Sequence, residues 1–583
     1  MRRNAIAAVV LTTFSAGLLI AAEQSGQRDW TSRDEAALAP PTPALLAIWT
    51  DKLGYLRRHD LVSVYLAMDP MRERRRFHEL IYMEHIETGK RQYLVREGAF
   101  PRLRDEIVDV RGNSPSHLGG ERLRHLPTTK IWGGRVLEPG LWQFVVELRD
   151  LNTSEIVKRA HAKFVVSPRI PVMIGSDGRD TEISTDTTWT NDKIYAIRHQ
   201  VFVNAGATLT IEPGTLILAR GPNASIVVER DGTIMAQGRP DAPIVMSCDA
   251  PLGQRFEGCW GGLVVLGNAP TTRGTTVAAG AVPETRSLYG GDDPTDSSGV
   301  LQYLRVEFAG ADARSGTAGA GLGFHGVGSG TLIDHVQARA SAGDGILFSG
   351  GTADCMYCVS SGARDDELAW AHGWQGRAQH VFLQQGPDGG DCGIEGENDE
   401  LGFDALPRSA PKLYNVTLVG PSMHGPRNGS HGGGIMLRAG SAVTARNVLV
   451  LGFASGAIDV RDGARSLFID GTSSIDNAIF STVAGGTADG QVNGGLESMV
   501  DYLDEEPMLV NVRYQVGPDP RPMLGSPALA VGAGAVPPSD GMLDTSAQYI
   551  GAFGDSNWLE EWTVFGPETD YAMREAESAD DQP

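Results

Sequence analysis

The chain has 583 residues, with 50 Lys and Arg against 72 Asp and Glu, so its net charge is −22. The charge is uneven: residues 1–170 hold 26 basic and 20 acidic residues (+6), leaving 24 and 52 (−28) for the rest. An acidic body of this size argues against nucleic acid and anionic membrane as partners, and leaves cations, neutral glycans and basic partners.

Taken in chain order, the first segment is Met1-Arg2-Arg3 and an apolar run from Ala5 to Ala22. A basic start, a short apolar stretch and small residues at Ala21 and Ala22 predict a signal peptide over residues 1–22. The expected location is the periplasm, the outer surface or the medium, with no membrane span once the signal is removed. Residues 23–43 are polar and rich in Ala and Pro, as in a linker. Over 44–168, runs such as LVSVYLAMDP, HELIYMEHIE and LWQFVVELRD alternate with period two between turn signals. They predict an immunoglobulin-like β-sandwich in which Pro139–Leu148 is a central strand.

The next region repeats itself. Ala207–Gly221 reads ATLTIEPGTLILARG and Ala224–Gly238 reads ASIVVERDGTIMAQG. Short β-type units at a fixed period are the mark of a solenoid. Further along, seven anchor pairs recur 22 to 35 residues apart: Arg305-Val306, His335-Val336, Cys358-Val359, His380-Val381, Asn415-Val416, Asn447-Val448 and Asn477-Ala478. The fold class is therefore all-β, a right-handed parallel β-helix over 171–566 preceded by the sandwich. Loops inserted between coils, including Glu367–Gln375, are where function should lie. Trp558 and Trp562 are expected to cap the last coil. Residues 567–583 form an acidic tail.

Five Cys occur in a chain expected to be exported, where disulfides persist. Cys248 and Cys259 flank a loop between two strand-like runs and are expected to pair. Cys355 and Cys358 lie in the strand-like DCMYCVSS. If extended, their Cα atoms would be roughly 10 Å apart, too far for a disulfide. One of them is expected to pair with Cys392 instead.

LTIEPGT, WGGLVVLGNAP, GGDDPTDSSGVLQYLRVEFAG, DGILFSGGT, GIEGENDELGFDALPRSAPKLYNVTLVG and QYIGAFGDSNWLEEWTVF resemble a family of exported bacterial right-handed β-helix proteins, over about residues 195–565. The resemblance implies a fold and an export route but brings no catalytic residues. The family pattern has a doubled acid before DG-I where this chain has Gly343-Asp344, so a charge role there is expected to be weaker.

Three constellations carry possible chemistry. Asp365, Asp366 and Glu367 end the coil anchored at Val359, and Glu395, Glu397, Asp399, Glu400 and Asp404 fall in the loop after the coil anchored at Val381. Carboxylates without His suit a hard cation, so Asp365, Asp366, Asp399 and Asp404 are candidate calcium ligands. Asp292, Asp293 and Asp296 in GGDDPTDSSG form a second candidate calcium turn, without EF-hand spacing. Trp370 and Trp374 beside the acids, with Glu395 and Glu397, are candidate glycan contacts. If the groove is catalytic, Asp365 and Asp366 would be its acids, and for a lyase Arg364 or Arg377 would be the base. Ser430-His431-Gly432 followed by Arg438 echoes one hydrolase arrangement only in order. The leading expectation is a non-catalytic glycan-binding protein. The alternatives are a polysaccharide lyase or hydrolase and an adhesive surface protein.

Overall fold

The computed structural model describes residues 46–50, 53–56, 62–68, 77–97, 100–104, 126–134, 136, 138–150 and 153–167, then 171–566 except 176–177, 251–253, 279–283, 312–318, 425–432, 482–490, 494, 513, 515–516 and 531. The expected signal peptide, linker and acidic tail lie outside the described residues.

In the N-terminal part, Leu46–Thr50, Val62–Met68 and Leu126–Gly134 make one antiparallel sheet. A second sheet holds Gly54–Leu56, Ile156–Ser167, Gly140–Asp150, Phe77–His85, Arg91–Glu97 and Phe100–Arg104. Gly140–Asp150 is paired on both sides, by Phe77–His85 and Ile156–Ser167. Alternate residues point one way along a strand. Phe144, Val146 and Leu148 therefore share a core with Val64 and Leu66 of the other sheet.

From Val172 the chain winds as a parallel β-helix. Among the described residues, 16 strands form one long sheet and ten form another, with consecutive coils in parallel register. The core inside is apolar, mostly aliphatic with interspersed aromatic rings, and continuous from Ile183 to Val500. The sequence repeat has a different meaning from the one expected. Leu209 pairs with Ile234, and Val201 with Ile226. Leu209 and Ile226 thus lie on different sheets of the winding chain and are not equivalent positions of adjacent coils. Strand-turn units on two faces look alike because both need an inward apolar pair and a Gly turn.

One position recurs in the larger sheet. Tyr303, His335, Tyr357, His380, Asn415, Asn447 and Asn477 all have φ between +46° and +60°. The ladder skips each of them: Leu304 pairs with Val336, and Val416 with Val448. Asn tolerates this left-handed backbone well, which makes the Asn-Val anchors legible. Two anchors shift accordingly, to Tyr303-Leu304 and Tyr357-Cys358. There the ring is stabilised by its neighbours: Tyr303, His335, Tyr357 and His380 stack in a column at 4.4, 4.3 and 4.6 Å.

The same turn of the backbone corrects the cysteines. Cys355 and Cys358 are bonded to each other, with Cα atoms 6.3 Å apart, and Cys392 is free and buried. The left-handed Tyr357 folds the segment back, so it is not extended between them. Cys248 and Cys259 are bonded as expected.

The C-terminal segment does not cap the last coil. It returns along the outer flank of the larger sheet. Asn477 donates to the Ala533 carbonyl, Asn447 to Ala535, Asn415 to Ala547 and Tyr549, and Gln337 to Val564. Trp562 lies edge-on to Tyr303 and His335, and Trp558 edge-on to Tyr357. A solenoid flank exposes a row of side-chain amides, one per coil, and the returning backbone satisfies them.

Candidate functional site

Each strand of the smaller sheet is preceded by a turn, and these turns stack. The strands Ile346–Ser349, Leu368–Ala371 and Ile394–Glu397 are adjacent and parallel. Just before them stand Asp344, Asp365-Asp366 and Asp391-Cys392. Their backbones are tied: Gly345 N–H donates to the Asp366 carbonyl and Glu367 N–H to the Cys392 carbonyl. Equivalent turn residues are thus forced together at the spacing of neighbouring strands, about 4.8 Å.

The result is an acidic corner. Carboxylate oxygens of Asp344, Asp365 and Asp366 lie within 4.8 Å of one another, and so do ligand atoms of Asp366, Asp391 and Cys392. Burial, then the Asp365 charge, pushes the Asp344 carboxyl up to about 7. Asp366 is raised further, by burial, by Asp344, and by a hydrogen bond with Glu395. A buried carboxyl among like charges keeps its proton. Burial and Asp391 raise Asp365 as well. Cys392 is driven to the thiol form by burial and Asp366. Asp366 is common to both groups, and Asp344 belongs to the first. A single acid per turn suffices when three turns stack.

Glu395 connects this corner to Arg438. Glu395 and Met436 are register partners on adjacent strands, and Arg438 follows two pairs later, opposite Glu397. Arg438 donates to Glu395 at 2.5 Å and to Glu400 at 2.9 Å, and pairs with Glu397. Burial, offset in part by Arg438, leaves the Glu397 carboxyl at about 7. Sequence order alone did not single out Arg438 as the hub of these three acids. Residues 430–432, its proposed companions, lie outside the described residues.

Several expected site residues are elsewhere. Asp399 is held by Arg273 at 2.9 Å through both Nε and Nη2, which lowers its carboxyl well below the usual range. Asp404 is almost fully exposed and pairs with Arg408. Neither converges on the corner. Glu367 is fully buried and accepts from Ser360, Gly362 N–H and Ala363 N–H, so it braces the turn from inside. Asp293 closes a local turn on Thr295, and Asp296 accepts from Asn268. Among the described residues, Asp292, Asp293 and Asp296 belong to no group of three converging ligands. Arg377 donates to Asp354 at 3.1 Å and Asp540 at 2.6 Å, on the larger sheet. Those carboxylates hold it charged, which removes it as a base near the acids.

Trp370 and Trp374 are not a glycan face. Both are buried, at 1% and 0% exposure. Leu368–Ala371 is a strand and not a loop, so Trp370 points inward in register with Phe348 and Gly396. A Cβ on Gly396 would meet the Trp370 ring at 2.3 Å, so only glycine leaves room for it. Each indole N–H has a buried acceptor, Ser441 Oγ for Trp370 and the Ala353 carbonyl for Trp374.

A second polar group was missed. Tyr289 Oη and Ser349 Oγ are 2.9 Å apart, and Ser349 Oγ lies 2.8 Å from His372 Nδ1. The three come from distant segments, so no spacing rule reveals them. Burial lowers the His372 pKa and keeps its ring neutral.

The parallel β-helix is the feature that the comparisons match. The model of the pectate-lyase like beta helix domain matches residues 181–502, and the chain belongs to that family. Two solved structures are similar at low identity. One is pectate lyase Pel9A, at 13% identity and TM-score 0.28, covering 61% of this chain and 89% of that one. The other is the Family 28 exopolygalacturonase of Yersinia enterocolitica, at 12% identity and TM-score 0.22, covering 79% and 90%. No curated protein sequence matches the chain. Among the described residues, no helix is long and apolar enough to cross a membrane.

Proposed function

We propose that this chain is an exported, non-catalytic glycan-binding protein whose acidic corner takes a calcium ion and, through it, an acidic polysaccharide. The observation that carries this is the convergence of Asp344, Asp365 and Asp366 within 4.8 Å. Their donors are all oxygen, which suits calcium, and Cys392 stays a protonated thiol that competes poorly for it. A cation would replace the protons that now relieve the like-charge repulsion. The N-terminal pair of sheets reads as an immunoglobulin-like module, and the β-helix as right-handed.

The test is titration calorimetry of the full chain with calcium at pH 7, in two buffers of different ionisation enthalpy. Binding should release protons, because two of the carboxyls hold them beforehand. Asp366→Asn should weaken binding at least tenfold. Polygalacturonate should bind only with calcium present. Absence of calcium binding at millimolar concentration overturns the reading.

A second reading is a polysaccharide hydrolase or lyase. One observation favours it: Asp366 is raised and hydrogen-bonded to Glu395, which Arg438 contacts at 2.5 Å. A carboxyl that keeps its proton, hydrogen-bonded to a second carboxyl that a guanidinium contacts, is the layout of an acid–base pair. New chain ends from polygalacturonate, lost in Asp366→Asn, would select this reading over pure binding.

A further inference from the structure

The strand Ile156–Ser167 and the returning C-terminal segment enclose a cleft of ≈ 200 Å³. It shares no residue with the acidic corner. Drug-sized ligand pockets run from about 300 to 1,000 Å³, so this one has room for little more than a sugar ring.

Its chemistry is specific. Lys158 and Arg159 on one wall face Glu560 and Glu561 on the other, so the formal charges cancel. Arg159 is already engaged, donating to Tyr82 Oη at 3.1 Å and lying 3.7 Å from Glu147. Burial, with Lys163 and Arg159 nearby, lowers the His161 pKa to about 3, so its ring carries no charge. The four side-chain charges sum to zero, so the cleft has no net charge with which to select a charged ligand.

The cleft does offer hydrogen bonds. Asn557 Nδ2 reaches the Pro518 carbonyl at 3.4 Å, but its Oδ1 is buried with no donor. A buried acceptor without a partner is uncommon and calls for one. Thr563 Oγ1 donates to the Leu559 carbonyl at 2.6 Å, which leaves its lone pairs able to accept. Leu559 and Phe565 supply apolar wall. The Phe565 ring is fixed edge-to-face against Phe382, with centroids 5.9 Å apart.

We propose that this cleft binds one end unit of a neutral saccharide, with Phe565 against a C–H face and Asn557 Oδ1 accepting from a hydroxyl. A rigid aromatic wall beside an unpartnered amide oxygen, in a cleft of no net charge, favours such a ligand over a uronate.

The test is ligand-observed NMR and calorimetry of the full chain with cellobiose, maltose, lactose and a galacturonate trimer, without calcium. At least one neutral disaccharide should bind saturably, and the trimer should not bind. Phe565→Ala and Asn557→Ala should each weaken binding at least tenfold. Asp366→Asn should leave it unchanged, which separates this site from the acidic corner. Thr563→Val, a change of similar volume, serves where Phe565→Ala loosens the segment, as reported by melting temperature. No neutral saccharide bound at millimolar concentration overturns the proposal. So does binding that the cleft variants leave intact, or a preference for the acidic trimer.

Discussion

Trp374 lies flat on Phe348, with ring centroids 4.3 Å apart and planes 8° from parallel. Trp370 leans on Trp374 at 5.9 Å, so three aromatic rings from adjacent coils fill one section of the solenoid interior. Trp374→Ala should therefore cost about 3–5 kcal/mol of stability, as for other large-to-small core changes. Chemical denaturation would measure it. A variant with wild-type stability but lost glycan binding would place the ring at the surface, against this packing.

The acidic corner should set the pH dependence of stability. Asp344 and Glu367 are raised in the fold to about 7 and about 8. Unfolded, both titrate near 4. The folded state thus holds more protons between pH 4 and 8, and stability falls as pH rises through that window. Asp344→Asn removes one such group. Its stability relative to the wild type, read from chemical denaturation, should be greater at pH 8 than at pH 5 by about 1–3 kcal/mol. Equal differences at both values would show that Asp344 is not burdened by ionisation. Calcium at pH 8 should restore much of the wild-type stability if the corner binds it.

Thiol counting checks the cysteine arrangement. Two disulfides leave Cys392, which is buried. Native protein should show no thiol reactive to Ellman's reagent, and unreduced protein in guanidinium should show one. Peptide mapping should recover Cys355 and Cys358 in one linked fragment. A fragment joining either of them to Cys392 would contradict the left-handed fold at Tyr357.

The returning C-terminal segment rests on the amide row. Asn415 donates to two of its carbonyls, at 3.1 and 2.8 Å, and Asn447 both donates to Ala535 and accepts from its N–H. Replacing both with Ala leaves buried backbone groups unpaired, at about 1–3 kcal/mol each. The double variant should melt earlier and be cut by chymotrypsin after Tyr549 well before the coils. Unchanged proteolysis would mean that the remaining contacts, among them Trp558, Trp562 and the Asn477 and Gln337 amides, hold the segment without Asn415 and Asn447.

Part of this protein was written in its local sequence. Period-two runs of β-branched residues, Gly turns and Asn-Val anchors are consequences of backbone geometry one coil at a time, so they declare a parallel β-helix without any long-range knowledge. The Cys248–Cys259 bond was legible for the same reason, since its two ends flank one loop. Asp365 and Asp366 could be named as acids of interest, because a doubled acid at a turn is local. What faced what was not local. Trp370 turned inward because its segment is a strand packed over Gly396, and Asp399 went to Arg273, 126 residues away. Asp344 joined Asp365 and Asp366 because parallel stacking places equivalent turn residues of successive coils side by side. The in-coil period is set by hydrogen bonds that any strand can make, whereas loop lengths between coils vary freely. Only the folded register decides which acids meet, which are neutralised by arginine, and which keep their protons.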